Sequence, residues 1–154
     1  MSQLSFVEHD HRNCIASGLT VAEHLCLKKD IWLTPIRRRV FEILLTEHRA
    51  LGAYEILEQL TKDGLSAKPP TAYRALDFLT RHGLAHRVER LNAYIACPSP
   101  DKRHDPAFLI CTDCDHVAET TVPPGVVGIA EGTGFDIKKT VIEATGLCPK
   151  CRTS

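Results

Sequence analysis

No apolar run in this chain of 154 residues approaches the ~20 residues a membrane-spanning helix needs. The opening stretch, Met1 to Cys14, lacks the apolar centre and small-residue cleavage site of a secretory signal and carries Glu8 and Asp10 instead. A cytoplasmic protein is therefore expected. An excess of charge of either sign is also missing: 19 Lys and Arg balance 19 Asp and Glu, which argues against a strong non-specific grip on nucleic acid. What asymmetry exists is small. Residues 1–97 hold 13 basic against 11 acidic side chains and residues 98–154 hold 6 against 8, so any DNA contact is expected in the first part. No hydrolase triad and no phosphate loop is recognisable, and the expectation is a protein that is not an enzyme. The seven cysteines are an odd number for a disulfide framework. In a reducing compartment they point to metal or redox chemistry.

What is present is a series of helices. Ile15, Leu19, Ala22 and Cys26 recur at helical spacing and predict a helix over about 13–29. Thr34-Pro35 is a start signal, a capping hydroxyl followed by a proline whose missing N–H costs nothing at the first helical position. The stripe Ile36, Val40, Ile43, Leu44 follows it. A next helix carries Ala53, Ile56, Leu57 and Leu60 and stops at Asp63-Gly64. Another begins near Pro69-Pro70-Thr71, turns Ala72, Ala75, Leu76 and Leu79 inward, and ends at Gly83. Residues 84–89 and 93–97 read as a β-hairpin joined by Arg90-Leu91-Asn92. Helices followed by such a hairpin form the winged helix-turn-helix pattern, whose last helix enters the major groove.

The polar segment 98–105, with two prolines, is the expected hinge. Beyond it, strands are predicted over 107–111, 117–122 and 137–144, with a short helix over 124–131. The fold class is thus α+β: a winged-helix domain over 1–97 and a small α/β dimerisation domain over 106–154. The second unit is too small to bury much core alone, so a metal staple and a partner copy are expected.

That staple is legible. Cys111-Thr112-Asp113-Cys114 and Cys148-Pro149-Lys150-Cys151 are two CxxC pairs. Two thiolates three positions apart on a tight turn can face one ion, and two such turns close a tetrahedral structural zinc site. Buried structural cysteines, or a redox pair at Cys148 and Cys151, are the other readings of the same residues. The run His9-Asp10-His11 is open between a weak metal site and a polar tail.

Leu33-Thr34-Pro35-Ile36-Arg37, then Lys68-Pro69-Pro70-Thr71-Ala72-Tyr73-Arg74-Ala75-Leu76, the hairpin and the paired CxxC turns occur in one order. From about residue 13 to 151 that order resembles the ferric uptake regulator (Fur) family of metal-sensing repressors, in its zinc-sensing type. The resemblance implies a homodimer, a double-stranded DNA partner with an A·T-rich palindromic operator, and control of zinc uptake and homeostasis genes. It also implies a second, regulatory metal site at the hinge, carried over here to His86, Cys97, His104 and Glu119, so that two zinc ions per protomer are expected. Two imidazoles, a thiolate and a carboxylate suit four-coordinate zinc. Iron- and peroxide-sensing relatives usually show a His-His-Asp-His run before the first CxxC, where this chain has His104-Asp105-Pro106-Ala107. They also place a histidine near the start of the third helix, where this chain has Ala50-Leu51-Gly52-Ala53.

Tyr73 and Arg74 fall outside the inward stripe of their helix. An arginine there can make two hydrogen bonds to a guanine edge, and the resemblance assigns both residues to DNA contact. Thr71, Arg37, Arg87 and Arg90 are candidate phosphate contacts. The competing functions are a sensor of iron, manganese or peroxide, a thiol-disulfide redox protein, and a zinc-stabilised interaction module.

Overall fold

The computed structural model describes residues 11–65, 67–102 and 104–154. His9 and Asp10 of the histidine-aspartate run lie outside the described residues. The chain divides into two compact units, whose described residues fall within Glu8–Arg103 and within His104–Ser154. No described helix is long and apolar enough to cross a membrane.

The first unit is a winged helix. It opens with α1, His11–Lys28, α2, Pro35–Thr46, α3, Ala53–Lys62, and α4, Pro69–Arg81. The capping logic read from the sequence is realised: Thr34 Oγ1 accepts from the Arg37 N–H at 3.3 Å, ahead of Pro35. Helix α3 starts at Gly52, whose N–H donates to the Glu55 carboxylate at 2.9 Å. Helix α4 ends where Gly83 takes φ +74°, a left-handed turn that an L side chain resists. Phe41, Leu44, Ile56, Leu60, Leu76, Leu79 and Leu84 are all but removed from water and form the common core of the helices. α1 approaches α2 closely at Gly18, where a Cβ would come within 2.9 Å of the Leu45 methyls. Arg39 ties α2 to the end of α3, with Nε donating to Asp63 at 2.5 Å and a second guanidinium nitrogen at 3.3 Å.

The hairpin follows as β1, Ala85–Val88, and β2, Ala93–Ala96, paired antiparallel with Ala85 opposite Ala96. Its turn is one 3₁₀ turn, Glu89–Leu91, closed by Asn92 in the left-handed region. Leu51 exchanges two backbone hydrogen bonds of 2.8 Å with Tyr94, so the loop before α3 pins the wing to the helices.

The second unit is a three-stranded sheet. Strands β3, Pro106–Cys111, and β4, Val117–Thr121, pair antiparallel, and β5, Ile142–Gly146, pairs parallel on the other side of β3. Between them α5 covers only Pro124–Val127, and a 3₁₀ turn, Gly128–Ala130, follows it. A last turn of helix, α6, spans Pro149–Arg152. Two sequence expectations shift here. The helix expected over 124–131 is cut short at Gly128, which caps α5 and opens the 3₁₀ turn. The strand expected over 137–144 begins at Ile142 instead. Its start is set by pairing with Ala107 across the sheet, and Asp136–Lys139 stay exposed or half-exposed.

Candidate metal centres and the exposed face of helix α4

The parallel pairing of β3 with β5 brings the two CxxC turns to one end of the sheet. Cys111 stands opposite Gly146, and Thr112 N–H donates to the Gly146 carbonyl at 2.8 Å. The chain beyond β5 therefore passes directly beside the first pair. Cys148 precedes α6, and its N–H donates to Cys111 Sγ at 3.3 Å. Cys114 Sγ lies 3.7 Å from Cys148 Sγ, and all four sulfurs fall within 4.8 Å of one another. A tetrahedron with metal–sulfur bonds of ~2.3 Å has edges of ~3.8 Å, so the donor set fits zinc in size as well as in chemistry. None of the described cysteines is in a disulfide.

The thiols are unequal. The Cys111 thiol is pulled down to about 6 because the amides of Cys114, Cys148 and Asp113 point at its sulfur. Cys151 is pushed well above the ordinary thiol range by the Asp113 carboxylate and by Cys148. For Cys114 the His116 amide lowers the value, but crowding by the Cys111 sulfur and burial carry it upward. Four sulfurs packed this closely hold one negative charge readily and resist more until a cation joins them.

The four residues assigned to a second metal site lie two on each unit. On the wing, His86 sits on β1 opposite Ile95, and Cys97 follows β2 with its N–H bound to the Leu84 carbonyl at 2.9 Å. Residues 86 and 97 are diagonal neighbours on one face of the hairpin, with their donor atoms within 4.8 Å of each other. On the second unit, Glu119 of β4 faces Phe108 of β3 and is the buried charged residue among the described side chains, 9% exposed. Its Oε1 lies 2.5 Å from His104 Nε2.

On α4 the inward residues Ala72, Ala75, Leu76 and Leu79 are buried as expected, and Phe78 joins them. Tyr73 is 46% exposed, and Arg74 is exposed. Thr71 is half-buried in the first turn. Arg87 and Arg90 are exposed on the wing, where Arg87 donates to Asn92 Oδ1 at 2.6 Å. Arg37 differs. It is half-buried, its guanidinium carbon lies 3.9 Å from the Phe78 ring centroid, and it donates to the Trp32 carbonyl at 2.7 Å. The sequence reading missed Tyr54 on the first turn of α3, 70% exposed. Its only signal was an aromatic residue lying outside the Ala53, Ile56, Leu60 stripe.

The sequence profile of the Ferric uptake regulator family matches residues 28–143. The zinc uptake regulation proteins of Escherichia coli (strain K12) and of Shigella flexneri are each 40% identical to this chain over 138 residues, covering 86% of it and 80% of the relative. Among solved structures, a zinc uptake regulator complexed with zinc and DNA matches with a TM-score of 0.85 at 38% identity, covering 90% of this chain and 95% of that one. Holo XcZur matches with a TM-score of 0.81 at 33% identity, covering 90% and 99%. With a family profile matched over most of its length and relatives 40% identical over 138 residues, the chain belongs to the ferric uptake regulator family.

Proposed function

We propose that this protein is a zinc-responsive transcriptional repressor that binds operator DNA as a homodimer when zinc is bound and controls genes of zinc uptake and homeostasis. The observation that carries the reading is the similarity to a zinc uptake regulator complexed with zinc and DNA, on a chain that has its own four-sulfur cluster. It is a regulator and not an enzyme. Cys111, Cys114, Cys148 and Cys151 hold a structural zinc ion. A second, regulatory ion takes His86, Cys97, His104 and Glu119, giving two per protomer. The mixed nitrogen, sulfur and oxygen donors favour zinc over manganese, which prefers oxygen.

Zinc bound at the second set would link the wing, the 98–105 hinge and the dimerisation unit through one ion. Charge alone does not explain a switch. Ionising four thiols around one dication changes the charge by about −2, and ionising one thiol around a second changes it by about +1. Since the structural ion stays in place, the switch itself adds only about one positive charge per protomer, roughly one phosphate contact, so most of the effect of the metal has to be geometric. It sets the separation of two recognition helices, which must match half-sites about one helical turn apart.

The second copy is expected along β5, the outer strand of its sheet, whose Ala144, Thr145 and Gly146 are exposed. Phe135, Val141 and Leu147 add exposed apolar surface in the same unit. Such an edge calls for a covering partner. Tyr73 and Arg74 read base edges, while Thr71, Arg87 and Arg90 reach phosphates.

The test is fluorescence anisotropy of an A·T-rich palindromic duplex with the purified protein at buffered free zinc, with manganese and iron(II) in parallel. Binding that appears only with trace zinc is the expected result. Binding driven by iron or manganese would keep the family and overturn the zinc assignment. A folded dimer that binds none of several operator-like duplexes with any metal would overturn the repressor reading.

A further inference from the structure

Arg37 has two anchors besides its own backbone. Its guanidinium sits over Phe78 with Cζ 3.9 Å from the ring centroid, and Nη1 donates to the Trp32 carbonyl at 2.7 Å. Its own N–H is held by Thr34. One side chain thus joins three segments: the loop after α1, the first turn of α2, and α4. The Phe78 ring also meets the His82 ring, at 4.6 Å between centroids and 55° between planes. His82 is the C-terminal cap of α4. Burial, followed by the charges of Lys29, Arg81 and Arg37, lowers the His82 pKa from its ordinary value, which keeps that imidazole neutral beside the cations at neutral pH.

The position of Phe78 gives the stack its meaning. Residues 74, 78 and 82 follow one another at i, i+4 and i+8, so they form a single column along α4. Arg74, the exposed residue read as a base contact, stands one turn above the ring that Arg37 grips. Helical side chains lean toward the N-terminus, so Phe78 leans toward Arg74. Rotation of α4 about its axis would carry Arg74 round its circumference, and the Arg37–Phe78 contact resists that rotation at the edge of the core.

We infer that Arg37 is a positioning residue for the DNA-reading helix, acting through the Phe78 ring and the Trp32 carbonyl instead of through a DNA phosphate. The inference rests on the DNA-binding reading above. A guanidinium is suited to this task because its flat face can stack while its edge donates in plane. A lysine ammonium keeps the charge but cannot do both in the same pose.

The two roles separate on salt dependence and on conservative replacement. A phosphate contact contributes about 0.9 to the slope of log K against log salt and tolerates lysine. A positioning contact leaves that slope unchanged and does not tolerate lysine. The experiment uses the full zinc-loaded chain as wild type, Arg37→Lys, Arg37→Gln, Phe78→Leu and the Arg37→Gln/Phe78→Leu double variant. Affinity for the palindromic duplex is measured over a range of potassium chloride concentrations. The His82 ring proton shifts are followed by NMR without DNA, as a readout independent of operator binding.

Arg37→Lys and Arg37→Gln should each weaken binding about tenfold with the slope unchanged. Phe78→Leu should do the same, and the double variant should be no worse than either single one. The Arg37→Gln spectrum should show His82 with a higher pKa, since a neighbouring cation has gone. Arg37→Lys binding like wild type, or Arg37→Gln lowering the slope by about one contact while Phe78→Leu binds normally, would overturn the inference. Failure of the wild type to bind any duplex would sink the repressor reading. In that case unmoved His82 ring proton shifts in Arg37→Gln, which would mean that the Phe78 ring beside them had not moved, would still overturn the stack on their own.

Discussion

His104 Nε2 and Glu119 Oε1 stand 2.5 Å apart, the imidazole just before β3 and the carboxylate on β4 of the same unit. A nitrogen and an oxygen at that distance are in hydrogen-bond contact. The same two atoms are the donors assigned to the second zinc ion, so proton and metal compete for them. Glu119→Gln removes the charge and keeps the shape. It should lower affinity for the second ion at least tenfold and leave the first ion in place, measured by zinc titration against a competing chelator. Two equivalents held with unchanged affinity would remove Glu119 from the site.

The two sets of cysteines should fail differently. Cys111→Ser opens the four-sulfur cluster, and a structural zinc site of this kind contributes apparent binding energy of ~10–16 kcal/mol to folding. That variant should lose zinc, thermal stability and dimer together in a melt and a sedimentation run. Cys97→Ser should melt like the wild type yet no longer bind the operator when zinc is added. A normal zinc response from Cys97→Ser would show that the second site has been assigned to the wrong residues.

The metal-free cluster should titrate in two stages. Cys111, drawn down to about 6 by amides, is a thiolate at neutral pH, whereas Cys114 and Cys151 are raised and stay protonated. A folded pKa below the unfolded one adds stability that is full above about 9, fades as pH falls toward 6, and is absent below it. The thiolate absorbance of the chelator-treated protein should therefore show one equivalent appearing near pH 6, with denaturant moving it upward. All thiols ionising together near 9 in the folded protein would contradict the amide arrangement.

Arg74→Ala should cost about 1–3 kcal/mol of operator binding and relax preference at one base pair in each half-site. Arg90→Ala should weaken binding to all sequences alike and reduce the salt slope by about 0.9. A panel of single-base operator variants, titrated at two salt concentrations, distinguishes these outcomes.

Gly83→Ala places a Cβ where φ is +74° but where nothing lies within 4 Å. The loss is therefore backbone strain without a clash, about 1–2 kcal/mol in a urea melt. A cost near zero would mean that the end of α4 relaxes freely, which its contact with Leu84, bound back to the Leu79 carbonyl at 2.8 Å, argues against.

The parts of this molecule that the sequence revealed are those decided locally. Thr34-Pro35 starts a helix and Gly83 ends one for reasons contained within a few residues. Cys111 and Cys114 lie on one turn, so their shared purpose is legible from spacing alone. The start of β5 was misplaced because its stabilisation comes from Ala107, 35 positions away, and its own residues Ala144, Thr145 and Gly146 are too exposed to leave a buried pattern. His104 and Glu119 are 15 residues apart with no periodicity linking them. Only the family resemblance brought them together before the antiparallel pairing of β3 and β4 set that carboxylate within reach. Arg37 was legible as a basic residue in a motif, but Phe78 lies too far along the chain for the stack between them to be read in advance.

The contact of Cys148 N–H with Cys111 Sγ closes the intervening chain into a ring, and β4 with its Glu119 lies inside it. An ion held by Cys111, Cys114, Cys148 and Cys151 would clasp the two ends of that ring in the folded state, and its binding free energy would stabilise the fold. The carboxylate assigned to the second site would thus sit in a segment ordered by the first. Under that assignment, opening the clasp would loosen the sensor, and by linkage zinc at the sensor would raise affinity at the clasp by the same factor, while loss of the sensor ion alone would leave the clasp closed. A protomer stripped of its four-sulfur ion would be an unfinished switch, with one of its four terminals hanging from an untied loop.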